Sequence, residues 1–181
     1  VLGGDGKPEP AALTYPFIVG GVSILSAILG ILTVNFGKGN PTRLLSLGVL
    51  VSALASAAAL WPLTQIFFPN GLCHDGQIAS TIGIYLASLV GLLMTFVVLL
   101  ITNYYTSTHY SPVRNIAKAS ETGHATNIIA GLAIGSHATA LPVGFIGIAI
   151  LLSYHFAGLY GIAIAVMAML SMAGIVISLD A

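Results

Sequence analysis

The sequence predicts an all-α integral membrane protein, and three observations support this fold class. Of its 181 residues, 57% are hydrophobic and only 6% are charged, with a mean hydropathy of +1.01. Soluble globular proteins carry about 25% charged residues. Five apolar stretches have the roughly 20 residues that a helix needs to cross a bilayer, and none of the five contains Asp, Glu, Lys or Arg. We therefore expect five transmembrane helices.

The breaks between these stretches carry turn residues. Gly37–Pro41 follows the first stretch, Pro69–Asp75 follows the second, and His155–Gly158 separates the last two. A longer polar segment, residues 103–127, separates the third from the fourth. The predicted spans are residues 13–36, 44–68, 78–102, 128–154 and 159–179 of one polytopic membrane domain that covers 1–181.

Composition also limits the function and the context of the chain. Five basic and five acidic residues cancel, so no net charge favours nucleic acid as a partner. The single cysteine, Cys73, cannot form an intrachain disulfide. The first ten residues lack the basic start and apolar core of a signal peptide, and Asp180 follows directly on an apolar run. We expect the chain to be part of a longer polypeptide.

The basic residues predict an orientation in the membrane. Four of them fall in the first and third loops, whereas Lys7 is the only one on the opposite side. Cytoplasmic loops are enriched in Lys and Arg. We therefore expect the N-terminus to be external, and the polar segment and the C-terminus to be cytoplasmic. The four residues are Lys38, Arg43, Arg114 and Lys118.

Small residues recur at helical spacing, which lets helix backbones approach closely. This pattern favours a tightly packed bundle, although Ala and Gly are also simply common in membrane helices. The repeats are Ser52 with Ser56, Ala53 with Ala57, Gly131 with Gly135, and Gly144 with Gly147.

The polar segment is predicted to contain a short amphipathic helix. Ser111 can cap its free amides, Pro112 suits the first helical position, and Gly123 can end it. Its apolar face would carry Val113, Ile116 and Ala117.

Arg114 and Lys118 would share another face of this helix, with Glu121 three residues beyond Lys118. We interpret them as support or coupling residues of the cytoplasmic loop. A face exposed to water and lipid headgroups, and a face linked to a substrate, both fit the pattern.

Three histidines are further candidates for a functional role. His109 and His124 bracket the predicted helix, where a pH-sensing role and simple hydration are the alternatives. His137 lies within the apolar fourth span, where an imidazole is either functional or hydrogen-bonded to a neighbouring helix.

Several catalytic arrangements are absent from the sequence. There is no phosphate-binding loop, no Ser/His/Asp or Cys/His set, and no carboxylate cluster. On the cytoplasmic side the only acidic residues are Glu121 and Asp180. Magnesium-dependent phosphate chemistry normally requires several carboxylates. We therefore predict no catalytic residue and no metal ligand in this chain by itself.

Three stretches of the second half closely resemble the membrane-bound, ion-translocating pyrophosphatases. They are Tyr104-Tyr-Thr-Ser-Thr-His-Tyr-Ser-Pro-Val-Arg114, the run from Lys118-Ala-Ser-Glu-Thr-Gly-His-Ala-Thr-Asn127 onward, and Ala138-Thr-Ala-Leu-Pro142. The last span, from Leu159-Tyr-Gly-Ile-Ala to Leu179-Asp-Ala181, is similar to the family's eleventh helix. The first three spans fit only by length and position.

The resemblance implies a homodimer of sixteen-helix subunits in which magnesium pyrophosphate hydrolysis drives protons, or sodium in some members, across a membrane. The chain would then supply helices seven to eleven, with only 159–179 among the inner helices. We expect a bacterial inner membrane, the rest of the same polypeptide and the lipid bilayer as partners, and Mg²⁺ bound outside this chain. K⁺ and Na⁺ are further candidate ions.

The resemblance carries little of the family's active site to this sequence. Asp180 would be an active-site-adjacent residue, because the family's magnesium-binding aspartate follows a few residues later. At Asn103 many relatives carry Glu, so a role for that acid does not transfer. The alternative function is a stand-alone transporter subunit or structural membrane protein.

Overall fold

The computed structural model describes residues 10–36, 41–69, 71–74 and 77–172. These residues form five helices and one short β-hairpin. The elements are α1 (Pro10–Phe36), α2 (Pro41–Phe67), β1 (Leu72–His74), β2 (Gln77–Ala79), α3 (Thr81–Thr106), α4 (Ser111–Thr122) and α5 (His124–Ser171). The predicted all-α class is therefore confirmed, apart from the hairpin.

Four described segments are long and apolar enough to cross a membrane. They are Pro10–Val34, Leu47–Phe67, Thr81–Thr122 and His124–Ser171, and the third of them includes the short helix α4. The count of five membrane helices is not confirmed, because the predicted fourth span and the described part of the fifth both fall in α5. Residues 173–179 of the fifth span lie outside the described residues.

Helix α5 is interrupted at the predicted break. Ala157 (φ −146°, ψ 23°) and Gly158 (φ 61°, ψ −150°) leave the helical conformation. The backbone of Gly158 is one that an L-residue with a Cβ rarely adopts. The sequence therefore placed the interruption between 154 and 159 correctly, but the helical segments on its two sides are joined by a kink instead of a loop.

The prediction that the third span begins at Ile78 is wrong. Gln77–Ala79 is the second strand of an antiparallel hairpin, in which Leu72 pairs with Ala79. Helix α3 begins after Ser80, whose Oγ accepts a hydrogen bond from the Gly83 amide at 3.0 Å. This serine is an N-cap, since it satisfies an amide in the first turn.

The predicted bounds of the segment 103–127 are wrong at both ends, whereas the short helix predicted within it is present as α4. Helix α3 continues to Thr106, and α5 already begins at His124. The Ser107 amide donates to the Asn103 carbonyl at 3.0 Å, which extends the helical bonding beyond the apolar run. Hydropathy marks the end of the hydrocarbon region, whereas a helix ends where its backbone bonding ends.

The chain divides into two compact units, and the first comprises residues up to Thr95 together with those from Ala149 onward. An aromatic cluster lies in its core. Tyr15 and Phe68 have ring centroids 5.1 Å apart, and Phe68 and Tyr160 are 6.1 Å apart. The Tyr15 hydroxyl lies 2.6 Å from Thr64 Oγ1, and the Tyr160 hydroxyl donates to the Ala12 carbonyl at 3.0 Å. These contacts join α1, α2 and the last part of α5.

Close backbone packing in this first unit depends on two glycines of α3. A Cβ added at Gly83 would collide with the Phe156 carbonyl oxygen, and one at Gly91 would collide with that of Ala165. Ser52 and Ser56 of α2 are completely buried. Close packing of small residues is thus confirmed for α2.

The second unit, Phe96–Ile148, contains the last turns of α3, all of α4 and the first half of α5. Space is open around its glycines: a Cβ added at Gly131, Gly135, Gly144 or Gly147 would meet nothing within 4 Å. The close approach predicted for these two pairs is therefore not made by the described residues.

Candidate functional site

The polar segment begins with a cluster of tyrosines at the end of α3. The ring of Tyr104 lies 5.2 Å from that of Tyr105 and 5.0 Å from that of Tyr110. A tight turn brings Tyr110 back, since its amide donates to the Ser107 carbonyl at 3.2 Å. Tyr104 and Tyr110 are nevertheless 43% and 45% exposed, so both rings remain accessible.

Helix α4 has nearly the predicted bounds but a different N-cap. Tyr110, in an extended conformation, is the N-cap and makes no side-chain capping bond, while Ser111 is already helical. The prediction that Ser111 caps the helix is therefore wrong. Pro112 still lies within the first turn, where a missing N–H costs no helical hydrogen bond. The helix ends before Gly123, as predicted.

The apolar face of α4 is close to the predicted one. Pro112 is buried, and Val113 and Ile116 are half-buried. Ala117 is exposed, however, whereas Ala119 is half-buried. The apolar face is thus turned slightly from the predicted position.

Arg114, Lys118 and Glu121 are all exposed on α4. Their spacing of four and three residues places them on one face of the helix. Arg114 Nε donates to the Thr108 carbonyl at 3.4 Å, which connects the guanidinium group to the turn before α4. Within the described ranges, none of the three forms an ion pair. This face consequently carries two uncompensated cations beside one carboxylate.

Two threonines connect the end of α4 to the start of α5. The Oγ1 atoms of Thr122 and Thr126 are 2.8 Å apart, and Thr122 Oγ1 donates to the Ala119 carbonyl at 2.8 Å. Thr126 Oγ1 also lies 2.8 Å from the Gly123 carbonyl and 3.1 Å from that of Ala119. Gly123 itself has φ 137° and ψ 168°, a conformation that suits glycine. The threonine pair thus bridges the glycine interruption.

The structure does not bring the remaining predicted candidates together. His109, His124 and His137 are exposed, and no bonded partner is seen for their side chains among the described residues. In this part of the chain, no group of three or more His, Cys, Asp or Glu side chains could hold a metal ion. Asp180 lies outside the described residues, as do Lys7 and Lys38.

Two features of the site were missed by the sequence reasoning. The tyrosine cluster needs the turn at 107–110, which carries no Gly or Pro signal. The threonine bridge spans two helices, although the i, i+4 spacing of Thr122 and Thr126 could have suggested a contact.

Residues 1–181 match the family model described as inorganic H⁺ pyrophosphatase. The chain is 38% identical over 175 residues to pyrophosphate-energized proton pump 2 of Mycoplana dimorpha, covering 94% of this chain and 83% of that protein. It is also 38% identical over 174 residues to the protein of that name from Rhizobium leguminosarum bv. trifolii, with 94% and 81% covered.

A third relative is much longer than this chain. The K⁺-insensitive pyrophosphate-energized proton pump 2 of Moorella thermoacetica is 36% identical over 177 residues, which cover 93% of this chain but 25% of that pump. The chain therefore spans about a quarter of the length of this relative.

Proposed function

The chain belongs to the inorganic H⁺ pyrophosphatase family, and we propose that it is a segment of a membrane pump that couples pyrophosphate hydrolysis to proton transport. The family resemblance inferred from the polar segment is confirmed by the match. One observation carries the functional proposal: the match extends over residues 1–181, and relatives 38% identical are called pyrophosphate-energized proton pumps. This favours the pump over a stand-alone transporter subunit or structural membrane protein.

Magnesium pyrophosphate is the proposed substrate, with its Mg²⁺ held by parts of the pump outside this chain. The described residues do not fit a magnesium site, because Glu121 is their only carboxylate and it is exposed. A magnesium-bound diphosphate normally requires several carboxylates around the ions. We therefore assign no catalytic step to a described side chain. Asp180 is proposed as an active-site-adjacent residue, and K⁺ or Na⁺ as an additional ion.

The chain is proposed to contribute five of sixteen helices, with 159–179 in the inner ring. The uneven distribution of basic residues supports an external N-terminus and a cytoplasmic polar segment. The proposed location is a bacterial inner membrane. Arg114, Lys118 and Glu121 would then support the cytoplasmic surface or couple it to pumping, since α4 holds them exposed on one face.

Further contacts are proposed with the rest of the same polypeptide and with a second copy in a homodimer. The exposed apolar side chains along 128–152 support this proposal, because so large an apolar surface needs either lipid or other helices around it. Ile129, Leu132, Val143 and Leu151 are all more than 60% exposed.

Ion uptake into sealed vesicles that contain the complete pump tests the proposed function. Pyrophosphate with Mg²⁺ should acidify the vesicle interior, and an uncoupler should abolish the gradient without stopping hydrolysis. Parallel measurement of sodium uptake identifies the transported ion. If pyrophosphate is not hydrolysed, or if it is hydrolysed without uptake of either ion, the proposal is wrong.

A further inference from the structure

The cationic face of α4 has donors that bond to no group among the described residues. Arg114 and Lys118 are exposed and lie one helical turn apart. In the described part of the chain, the only hydrogen bond of the Arg114 guanidinium is the one from Nε to the Thr108 carbonyl, at 3.4 Å. Its terminal nitrogens and the Lys118 ammonium group therefore remain available. Two neighbouring cations repel each other, and an anion bound between them removes that repulsion.

Two aromatic side chains lie at the N-terminal end of the same helix. Tyr110 is the N-cap of α4, and its ring lies 5.0 Å from that of Tyr104. Both rings are more than 40% exposed. Tyrosine is enriched where hydrocarbon meets the headgroup layer, because its ring is apolar and its hydroxyl is polar. A site for a soluble anion would not need these exposed rings.

The position of α4 in the chain also indicates the boundary between the hydrocarbon and the headgroup layer. It follows the apolar helix α3 and precedes the apolar helix α5, so it lies where the chain leaves the hydrocarbon. Its own pattern is that of an interfacial helix, with Val113 and Ile116 half-buried and the charged residues exposed. The phosphate of a phospholipid lies at this depth.

We propose that Arg114 and Lys118, together with the exposed rings of Tyr104 and Tyr110, bind the headgroup of an anionic phospholipid. Arg114 would hold the phosphate through its paired terminal nitrogens, and Lys118 would add a second charge. The tyrosine rings would contact the glycerol region and the first part of the acyl chains. This lipid binding specifies the support role proposed above for Arg114 and Lys118, and its test does not require pyrophosphate hydrolysis.

Native mass spectrometry of the purified protein in detergent tests the proposal with phosphatidylglycerol and phosphatidylcholine as probes. We expect phosphatidylglycerol to bind at least tenfold more tightly. A cation at a membrane surface contributes about fivefold in affinity, so Lys118→Gln should weaken phosphatidylglycerol binding about fivefold. Arg114→Gln with Lys118→Gln should weaken it about 25-fold. Phosphatidylcholine binding should weaken less in both variants, because its choline cation already neutralises the charge of its phosphate.

The matched control is Lys38→Gln with Arg43→Gln, which removes the same charge from the sequence between the first two predicted spans. Phosphatidylglycerol binding should be retained in this control and in Lys118→Arg. Equal losses in the control and in the α4 variants would overturn the proposal, because binding would then follow net charge. Displacement of phosphatidylglycerol by millimolar inorganic phosphate would also overturn it, since the site would then take a soluble anion.

Discussion

At the scale of single residues, the hydroxyl of Thr126 holds the junction between α4 and α5. It lies within 3.1 Å of three oxygen atoms, those of Thr122 Oγ1 and of the Gly123 and Ala119 carbonyls. Gly123 interrupts the helical bonding at this point, and glycine adds backbone freedom. The junction is therefore ordered by side-chain hydrogen bonds that the helices themselves do not supply.

We expect Thr126→Val to loosen this junction. Valine keeps the shape of threonine but removes the hydroxyl, and one hydrogen bond contributes about 1 kcal/mol. Hydrogen exchange of amides 119–127 should become about fivefold faster. Thr139→Val is the matched control, because among the described residues the equally exposed Thr139 hydroxyl donates only to the Ser136 carbonyl of its own helix, at 2.9 Å. If exchange at 119–127 is unchanged in Thr126→Val, the hydroxyl does not order the junction.

Single residues were predicted from the sequence unevenly. The exposure of Arg114 and Lys118 followed from their spacing around Val113 and Ile116, since helical periodicity is local. The N-cap was assigned wrongly to Ser111. Tyr110 takes that position because of the backbone geometry of the preceding turn, which the residue types there do not predict. The contact of Tyr104 with Tyr110 was not predicted for the same reason.

At the scale of helices, two sets of glycines with similar sequence context have opposite surroundings. Gly83 and Gly91 of α3 touch backbone carbonyls of α5, whereas Gly131 and Gly135 have open space at the position of a Cβ. Both sets are spaced by whole helical turns, which is the pattern of close helix contacts. Spacing alone therefore did not identify which set packs within this chain.

Gly91→Ala should destabilise the protein, because its methyl group would overlap the Ala165 carbonyl and force α3 and α5 apart. Overpacking of this kind costs about 1–3 kcal/mol. We expect a lower midpoint in SDS-induced unfolding, followed by circular dichroism. The matched control is Gly135→Ala, for which nothing lies within 4 Å of the new methyl group. Equal midpoints for the two variants would contradict the close approach at Gly91.

The helix boundaries show which parts of the fold are encoded locally. The end of α4 at Gly123 and the break near Gly158 were predicted, because glycine permits backbone conformations that other residues avoid. The start of α3 was misplaced by three residues, because Gln77–Ala79 pairs with Leu72–His74. Strand pairing depends on a partner elsewhere in the chain, so the apolar character of Ile78 alone was misleading.

At the scale of the whole molecule, the sequence predicted the membrane class and the family but could not identify a complete catalytic site. The apolar composition predicted that the protein lies in a lipid bilayer, and the residues of the polar segment are the ones that resemble the family. The described residues hold one carboxylate, Glu121, so the chemistry proposed for the pump depends on residues outside them. The orientation of the whole chain decides which side of the membrane each loop faces.

The proposed orientation predicts that Pro69 and Ser120 face opposite sides of the membrane. Both residues are exposed. Pro69 precedes α3 in the chain, and Ser120 follows it. In a Cys73→Ser background, we expect a membrane-impermeant maleimide added outside intact cells to label Pro69→Cys. Ser120→Cys should react only after the membrane is permeabilised. The reason is that Arg114 and Lys118 place the polar segment on the cytoplasmic side, and α3 is long enough to cross the bilayer once. Labelling of both cysteines from outside would mean that α3 does not span the membrane, and the reverse pattern would invert the proposed topology.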